Sequence, residues 1–143
     1  MSGMIVYDAT NQILGRLASV IAKKLLEGER VFVVNCEKAV ISGDPKYTLK
    51  KYLEKIHRGD PKHGPFFPKT PDGIFRRTVR GMLPWHKPKG RKAFKNLRVF
   101  IGLPEEFKDK KLERVKEADA KKLKCKYITL EDLSIQLGAK KRW

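Results

Sequence analysis

The chain has 143 residues, with 33 Lys and Arg against 16 Asp and Glu, a formal net charge of +17 and a hydrophobic fraction of 41%. That length suits one domain burying about two-thirds of its unfolded surface, and the apolar content is enough for a core, which argues against wholesale disorder. Two cysteines 89 residues apart fit a reducing compartment, and neither a signal-peptide layout nor an apolar run near the ~20 residues of a membrane span is present, so a secreted scaffold, a zinc ribbon and a membrane protein are poor readings.

In chain order, Met4-Ile5-Val6-Tyr7 reads as a short strand and Asp8-Ala9-Thr10-Asn11 as the turn after it. Leu14, Leu17, Ala18, Ile21 and Leu25 recur at helical spacing, and Gly28 is placed to stop that helix in a left-handed cap. Val31-Phe32-Val33-Val34 follows as a continuous apolar run, the pattern of a strand covered on both faces. Strand, helix and strand in this order make a βαβ unit and point to a parallel sheet. Ala39-Val40-Ile41 is either a strand or an extended loop.

Asp44-Pro45 reads as an N-cap and first helical position, followed by an apolar face of Leu49, Tyr52, Leu53 and Ile56 that ends at Gly59. Residues 59–71 are rich in Gly and Pro. Thr70-Pro71-Asp72 opens another helix, with Ile74, Phe75, Val79 and Met82 on its apolar side and Pro84 beyond its end. Residues 85–95 read as a flexible Gly/Pro segment carrying cations and an aromatic ring. Leu97–Ile101 is the third clear strand, residues 105–124 are too sparsely apolar to assign, and Tyr127-Ile128 is a candidate last strand. Thr129 with Asp132 has the spacing of a capping box for a short helix through Leu137, stopped by Gly138. The expectation is one α/β domain over residues 1–143, with a basic region at 46–95 and a basic tail at 138–143.

Charge is unevenly distributed. Residues 1–45 carry five basic and five acidic side chains, net zero; residues 46–95 are net +12 and residues 96–143 net +5. A solvated charged face is one account. Uncompensated like charge repels itself, however, so a counter-charged partner is the better one, and a pI near 10.0 puts nucleic acid ahead of an anionic membrane. Arg76 and Arg80 are four apart and Arg77 and Arg80 three apart, so three guanidinium forks gather on one side of a helix. Beyond Pro84, Trp85 stands among His86, Lys87, Lys89, Arg91, Lys92 and Lys95, which suits phosphate contacts and base stacking. Lys50, Lys51 and Arg58 belong to the preceding helix, and Lys62, His63 and Lys69 to the loop after it. Phe66 and Phe67 in that loop either face RNA or plug the core. Lys140, Lys141 and Arg142 form a tail of the kind that orders on its partner. No helix-turn-helix, zinc finger or RNP-type strand is evident, so folded RNA is favoured over duplex DNA.

Catalytic readings find less support. His57, His63 and His86 lie in the basic region without an HExxH, and no Ser stands in a GxSxG elbow. His57 and His63 alone make a weak metal site. Asp8 is read as a turn residue rather than a catalytic aspartate, and Cys36 and Cys125 as inert. Gly15-Arg16 matches neither GxGxxG nor GxxxxGK[ST], and Gly15 is read as permitting close backbone approach. An α/β enzyme acting on a nucleotide or nucleic acid is the competing class.

Val79-Arg80-Gly81-Met82-Leu83-Pro84, Gly90-Arg91 and Leu97-Arg98-Val99-Phe100-Ile101-Gly102 together resemble the signature of the universal large-subunit ribosomal protein family numbered thirteen. Asp8-Ala9, Leu14 to Ser19, Ile21-Ala22 and Asn35 to Gly43 resemble the same family's opening blocks, and the ordered blocks span most of residues 5–104. Gly64 to Pro68 with Ile74 to Thr78 is similar to the archaeal and eukaryotic branch. The resemblance implies a three-layer α/β/α fold around a small, mostly parallel sheet. It also implies a structural role: binding large-subunit ribosomal RNA, supporting subunit assembly, and touching neighbouring large-subunit ribosomal proteins in the cytoplasmic ribosome. Catalysis, a cofactor, a metal, a small-molecule substrate and a membrane are not implied.

Overall fold

A computed structural model of the chain describes residues 4–57 and 68–141. Strand β1 (Met4–Asp8), helix α1 (Leu14–Leu26) and strand β2 (Arg30–Val34) form the βαβ unit, with β1 and β2 parallel and Val6 opposite Phe32. The five apolar residues read as one face of α1 are all buried, together with Ala22. Each Leu or Ile on that face contributes about 1.5–3 kcal/mol by leaving water. Lys23 and Lys24 sit in the last turn, where cations complement the helix dipole. Gly28, at φ +90°, then ends the helix. Its N–H donates to Leu25 O and that of Glu29 to Lys24 O, a Schellman closure.

Strand β3 (Val40–Ser42) resolves the ambiguity at 39–41, and pairs antiparallel with β5 (Tyr127–Thr129) in a separate small sheet. Helix α2 spans Pro45–His57, with Asp44 Oδ1 accepting from the Lys46 N–H at 3.0 Å. Helix α3 spans Pro71–Gly81, capped by Thr70 Oγ1, which accepts from the Gly73 N–H. Strand β4 (Leu97–Val99) returns parallel to β2, giving the order β1-β2-β4. Helix α5 (Leu130–Gln136) is capped by Thr129 Oγ1 and closed by Gly138 at φ +103°. The α/β reading therefore holds, with a mostly parallel sheet.

On one face of the sheet, Tyr7, Val31, Val33 and Leu97 join the core side chains of α1, α3 and α5. On the other, Val6, Phe32, Val34 and Phe100 meet Phe107 and Leu112 from the segment after β4. That segment carries 3-10 turns at Glu105–Phe107, Lys116–Ala118 and Ala120–Lys122. Glu113 bonds to both neighbours of Tyr7 and so covers the free edge of β1.

Four expectations are corrected. Residues 88–95 are not a flexible segment but helix α4 (Pro88–Lys95): Pro88 stands in its first turn, where no N–H is needed. Helix α3 stops before Met82, which is exposed, and Leu83 takes the buried place instead. Nothing lies within 4 Å of where a Gly15 side chain would begin, whereas a Cβ on Gly90 would collide with the Pro84 carbonyl oxygen. The close backbone approach thus belongs to Gly90. Finally, Cys36 is buried in apolar company, but Cys125 is exposed.

Candidate nucleic-acid interface

Helix α3 divides its surface between core and cations. Ile74, Phe75 and Val79 are fully buried, while Arg76 and Arg77 are exposed and Arg80 half-buried. The Arg80 guanidinium lies over the Trp85 ring, 4.2 Å from its centroid, and that of Arg76 over Phe94 at 5.2 Å. Trp85 and Phe94 meet edge to face, 5.3 Å apart at 84°. Arg76, Phe94, Trp85 and Arg80 are therefore one cation–aromatic ladder joining α3 to the 82–95 segment. Each such cation contributes about 0.5–1 kcal/mol at an exposed site, and the ring pair about 0.5–1.5 kcal/mol. A guanidinium resting on a ring engages its flat face and keeps in-plane N–H donors for a phosphate. Phe94 was not singled out in the sequence. Its only signal is its place one turn after Gly90 on a helix that the sequence reading missed.

The turn into α4 is held by its own backbone and by Arg91. The Lys87 N–H donates to Pro84 O at 3.0 Å. Arg91 donates from Nε to Trp85 O at 3.0 Å and from Nη2 to His86 O at 3.2 Å. Arg91 thus fixes the turn that carries Trp85, besides adding charge. His86, Lys87, Lys89, Lys92 and Lys95 are all exposed. No carboxylate stands in the first turn of α4, so the positive end of its dipole adds to the field of Lys87 and Lys89.

Lys50 and Lys51 are exposed on α2, and Lys69 is exposed just before α3. The Lys55 ammonium lies 4.8 Å from the Tyr52 ring centroid. Arg58, Lys62, His63 and Arg142, together with Phe66 and Phe67, lie outside the described residues. In the tail, Lys140 is exposed, whereas Lys141 Nζ pairs with Glu131 Oε1 of α5 at 2.9 Å, a contact that raises the Lys141 pKa. Lys141 is thereby bonded to the body of the protein.

Elsewhere, polar side chains serve the scaffold. Asp8 Oδ1 accepts from the Thr10 N–H, the Thr10 hydroxyl and Asn35 Nδ2, and Oδ2 faces Arg114 at 3.6 Å. Burial alone would raise the Asp8 pKa; these donors and the Arg114 charge outweigh it, and the pKa lies below its ordinary value. Asp8 is thus the turn residue the sequence suggested. Buried Glu37 holds the Gly102 N–H between its two oxygens, and buried Gln12 accepts from the Val115 N–H at 3.0 Å. Burial pushes the Cys36 thiol far up its scale, keeping it protonated and unreactive. Among the described residues, no three of His, Cys, Asp and Glu gather to hold a metal, and no helix is long and apolar enough to cross a membrane.

Comparison with known proteins gives one consistent result. A family model described as Ribosomal protein L13 matches residues 2–106. A protein of Methanopyrus kandleri named large ribosomal subunit protein uL13 is 54% identical over 136 residues, covering 93% of this chain and 86% of that protein. Proteins of the same name are 51% identical in Archaeoglobus fulgidus, over 93% of this chain and 86% of that one, and 49% identical in Sulfurisphaera tokodaii, over 94% of each.

Proposed function

The chain belongs to the ribosomal protein L13 family, and from that footing we propose that it is a structural constituent of the large ribosomal subunit, one that binds large-subunit ribosomal RNA and supports assembly of the subunit. Its place is in the cytoplasmic ribosome, against that RNA and neighbouring ribosomal proteins. The whole chain acts as one unit, with residues 46–95 as its principal RNA-binding region.

The observation that carries this reading is the α3–α4 face. Arg76 and Arg80 are held on Phe94 and Trp85 rather than on carboxylates, so their positive charge is positioned without being neutralised. Arg77 stands with them on α3. Lys87, Lys89, Lys92 and Lys95 extend the field along α4, Arg91 fixes the turn, and Trp85 keeps an exposed part for base contact. Lys50, Lys51, Arg58, Lys62, His63 and Lys69 add cations from the same stretch of sequence, and Lys140, Lys141 and Arg142 add those of the basic tail. Phosphate recognition of this kind is electrostatic and falls steeply with salt.

The test is sedimentation of the full chain with large ribosomal subunits. The protein should co-sediment at physiological salt and be released only at high salt; a protein that stays at the top of the gradient at physiological salt contradicts the reading.

A further inference from the structure

We propose a second RNA contact on the outer face of the sheet, a cleft of about 330 Å³ lined by Arg30, Phe32, Lys95, Asn96 and Arg98, which takes one phosphate and its unpaired nucleotide. The proposal rests on the ribosomal-RNA reading above and extends it to Arg30, Phe32, Asn96 and Arg98, outside the α3–α4 face, with Lys95 shared between the two. The strand register creates the cleft. Phe32 stands directly beside Arg98 in the β2–β4 ladder, and Arg30, two residues before Phe32, falls on the same face. Lys95 and Asn96 end α4 immediately before β4 and complete the lining. Residues distant in the chain thus converge at the starts of two parallel strands.

Charge selects the occupant. Arg30, Lys95 and Arg98 are all exposed, and among the described residues no carboxylate pairs with any of them. Arg98 is fixed in place: its Nη1 donates to Lys95 O at 3.1 Å and to Leu97 O at 2.9 Å, which leaves Nε and Nη2 for a ligand. Three converging cations without a counter-charge repel one another, and an anion relieves that cost. The half of this face nearer the strand ends is covered by Phe107 and Leu112, but Arg30 and Arg98 at the other half are uncovered. Phe32 lies between the halves, half-buried, with its ring 5.4 Å from that of Phe107.

Phe32 gives the cleft an apolar wall suited to a base, and Asn96 an amide that can both donate and accept hydrogen bonds. The volume lies at the low end of the ~300–1,000 Å³ typical of ligand sites, which fits one nucleotide and not a duplex. Lys95 is also the last residue of α4, whose length of about 12 Å separates this cleft from the Trp85 turn. One RNA strand can reach both.

The experiment uses the full chain with Arg30→Gln, sparing Arg98 because its backbone bonds support β4 and Lys95 because it also belongs to the α3–α4 field. Binding to a large-subunit ribosomal RNA fragment is measured against salt, with thermal unfolding as the control. Loss of the one phosphate contact should flatten the log–log slope by about 0.7–0.9, with the unfolding midpoint unchanged. Wild-type protein cross-linked to RNA carrying 4-thiouridine should yield a labelled peptide containing Phe32. An unchanged slope overturns the cleft while leaving the α3–α4 reading standing, whereas a wild-type slope near zero overturns both. Should the variant also unfold earlier, the cross-link on the wild type decides, and an unlabelled Phe32 peptide overturns the proposal. An equal loss of binding to dextran sulfate would reduce the cleft to a general anion patch and overturn the nucleotide assignment.

Discussion

Residues 1–45 and residues 46–95 both place amphipathic helices on one core, yet they treat their charges in opposite ways. The first region is net neutral, and on α1 charge is paired locally, Lys24 facing Glu27 at 3.7 Å. The second region is net +12. Among its described cations, Arg76 and Arg80 rest on rings and Arg91 on backbone carbonyls. Rings and carbonyls fix geometry without cancelling charge. The difference separates a part that mainly builds the scaffold, with Arg30 as its cation on the outer face of the sheet, from a part that concentrates the excess positive charge.

Substitutions can break that separation if it is wrong. The largest expected effect is in the neutral region, where Leu17→Ala empties a fully buried position on α1. It should cost about 2–5 kcal/mol in urea denaturation. RNA affinity of the folded fraction should not change, and a weakened affinity there would blur the division. Next comes Gly90→Ala. An alanine in a helix ordinarily gains about 0.5–1 kcal/mol over glycine. Here its Cβ would collide with the Pro84 carbonyl, and displacing that backbone should cost about 1–3 kcal/mol. An unchanged or raised unfolding midpoint would contradict the packed turn that positions Trp85.

The smallest effect is one of pH. Because the folded Asp8 pKa is depressed, its contribution is complete above the unfolded value of about 3.9 and fades as pH falls through the lower folded value. Acid titrations of stability for the wild type and Asp8→Asn should therefore converge below about pH 3.9. A constant gap across that range would contradict the Thr10, Asn35 and Arg114 contacts.

Local signals were legible in the sequence where neighbours along the chain decide the outcome. The spacing of Leu14, Leu17, Ile21 and Leu25, the left-handed glycines 28 and 138, and the Thr70 and Thr129 caps all act within a turn or two. Helix α4 was hidden because Pro88 and Gly90 read as breakers. Pro88 in fact starts the helix, and Gly90 is small because Pro84 passes close by. The fold of 105–124 depends on partners far away in sequence: Gln12 holds Val115, and Glu113 lies along β1. The guanidinium cluster of Arg76, Arg77 and Arg80 follows from helical spacing alone. Its pairing with Phe94 and Trp85, and the meeting of Arg30 with Arg98, require the tertiary structure.

The most direct test of the central claim is the salt dependence of ribosomal RNA binding by the wild type and by Arg76→Ala, Arg77→Ala and Arg80→Ala combined. With ~10 neutralised phosphates the wild-type log–log slope should be roughly −7 to −9, and loss of three contacts should flatten it by about 2–3. Loss of the Arg76 and Arg80 cation–ring contacts should itself cost about 0.5–1 kcal/mol each. The same slope and affinity in both proteins would contradict the assignment of this face to RNA.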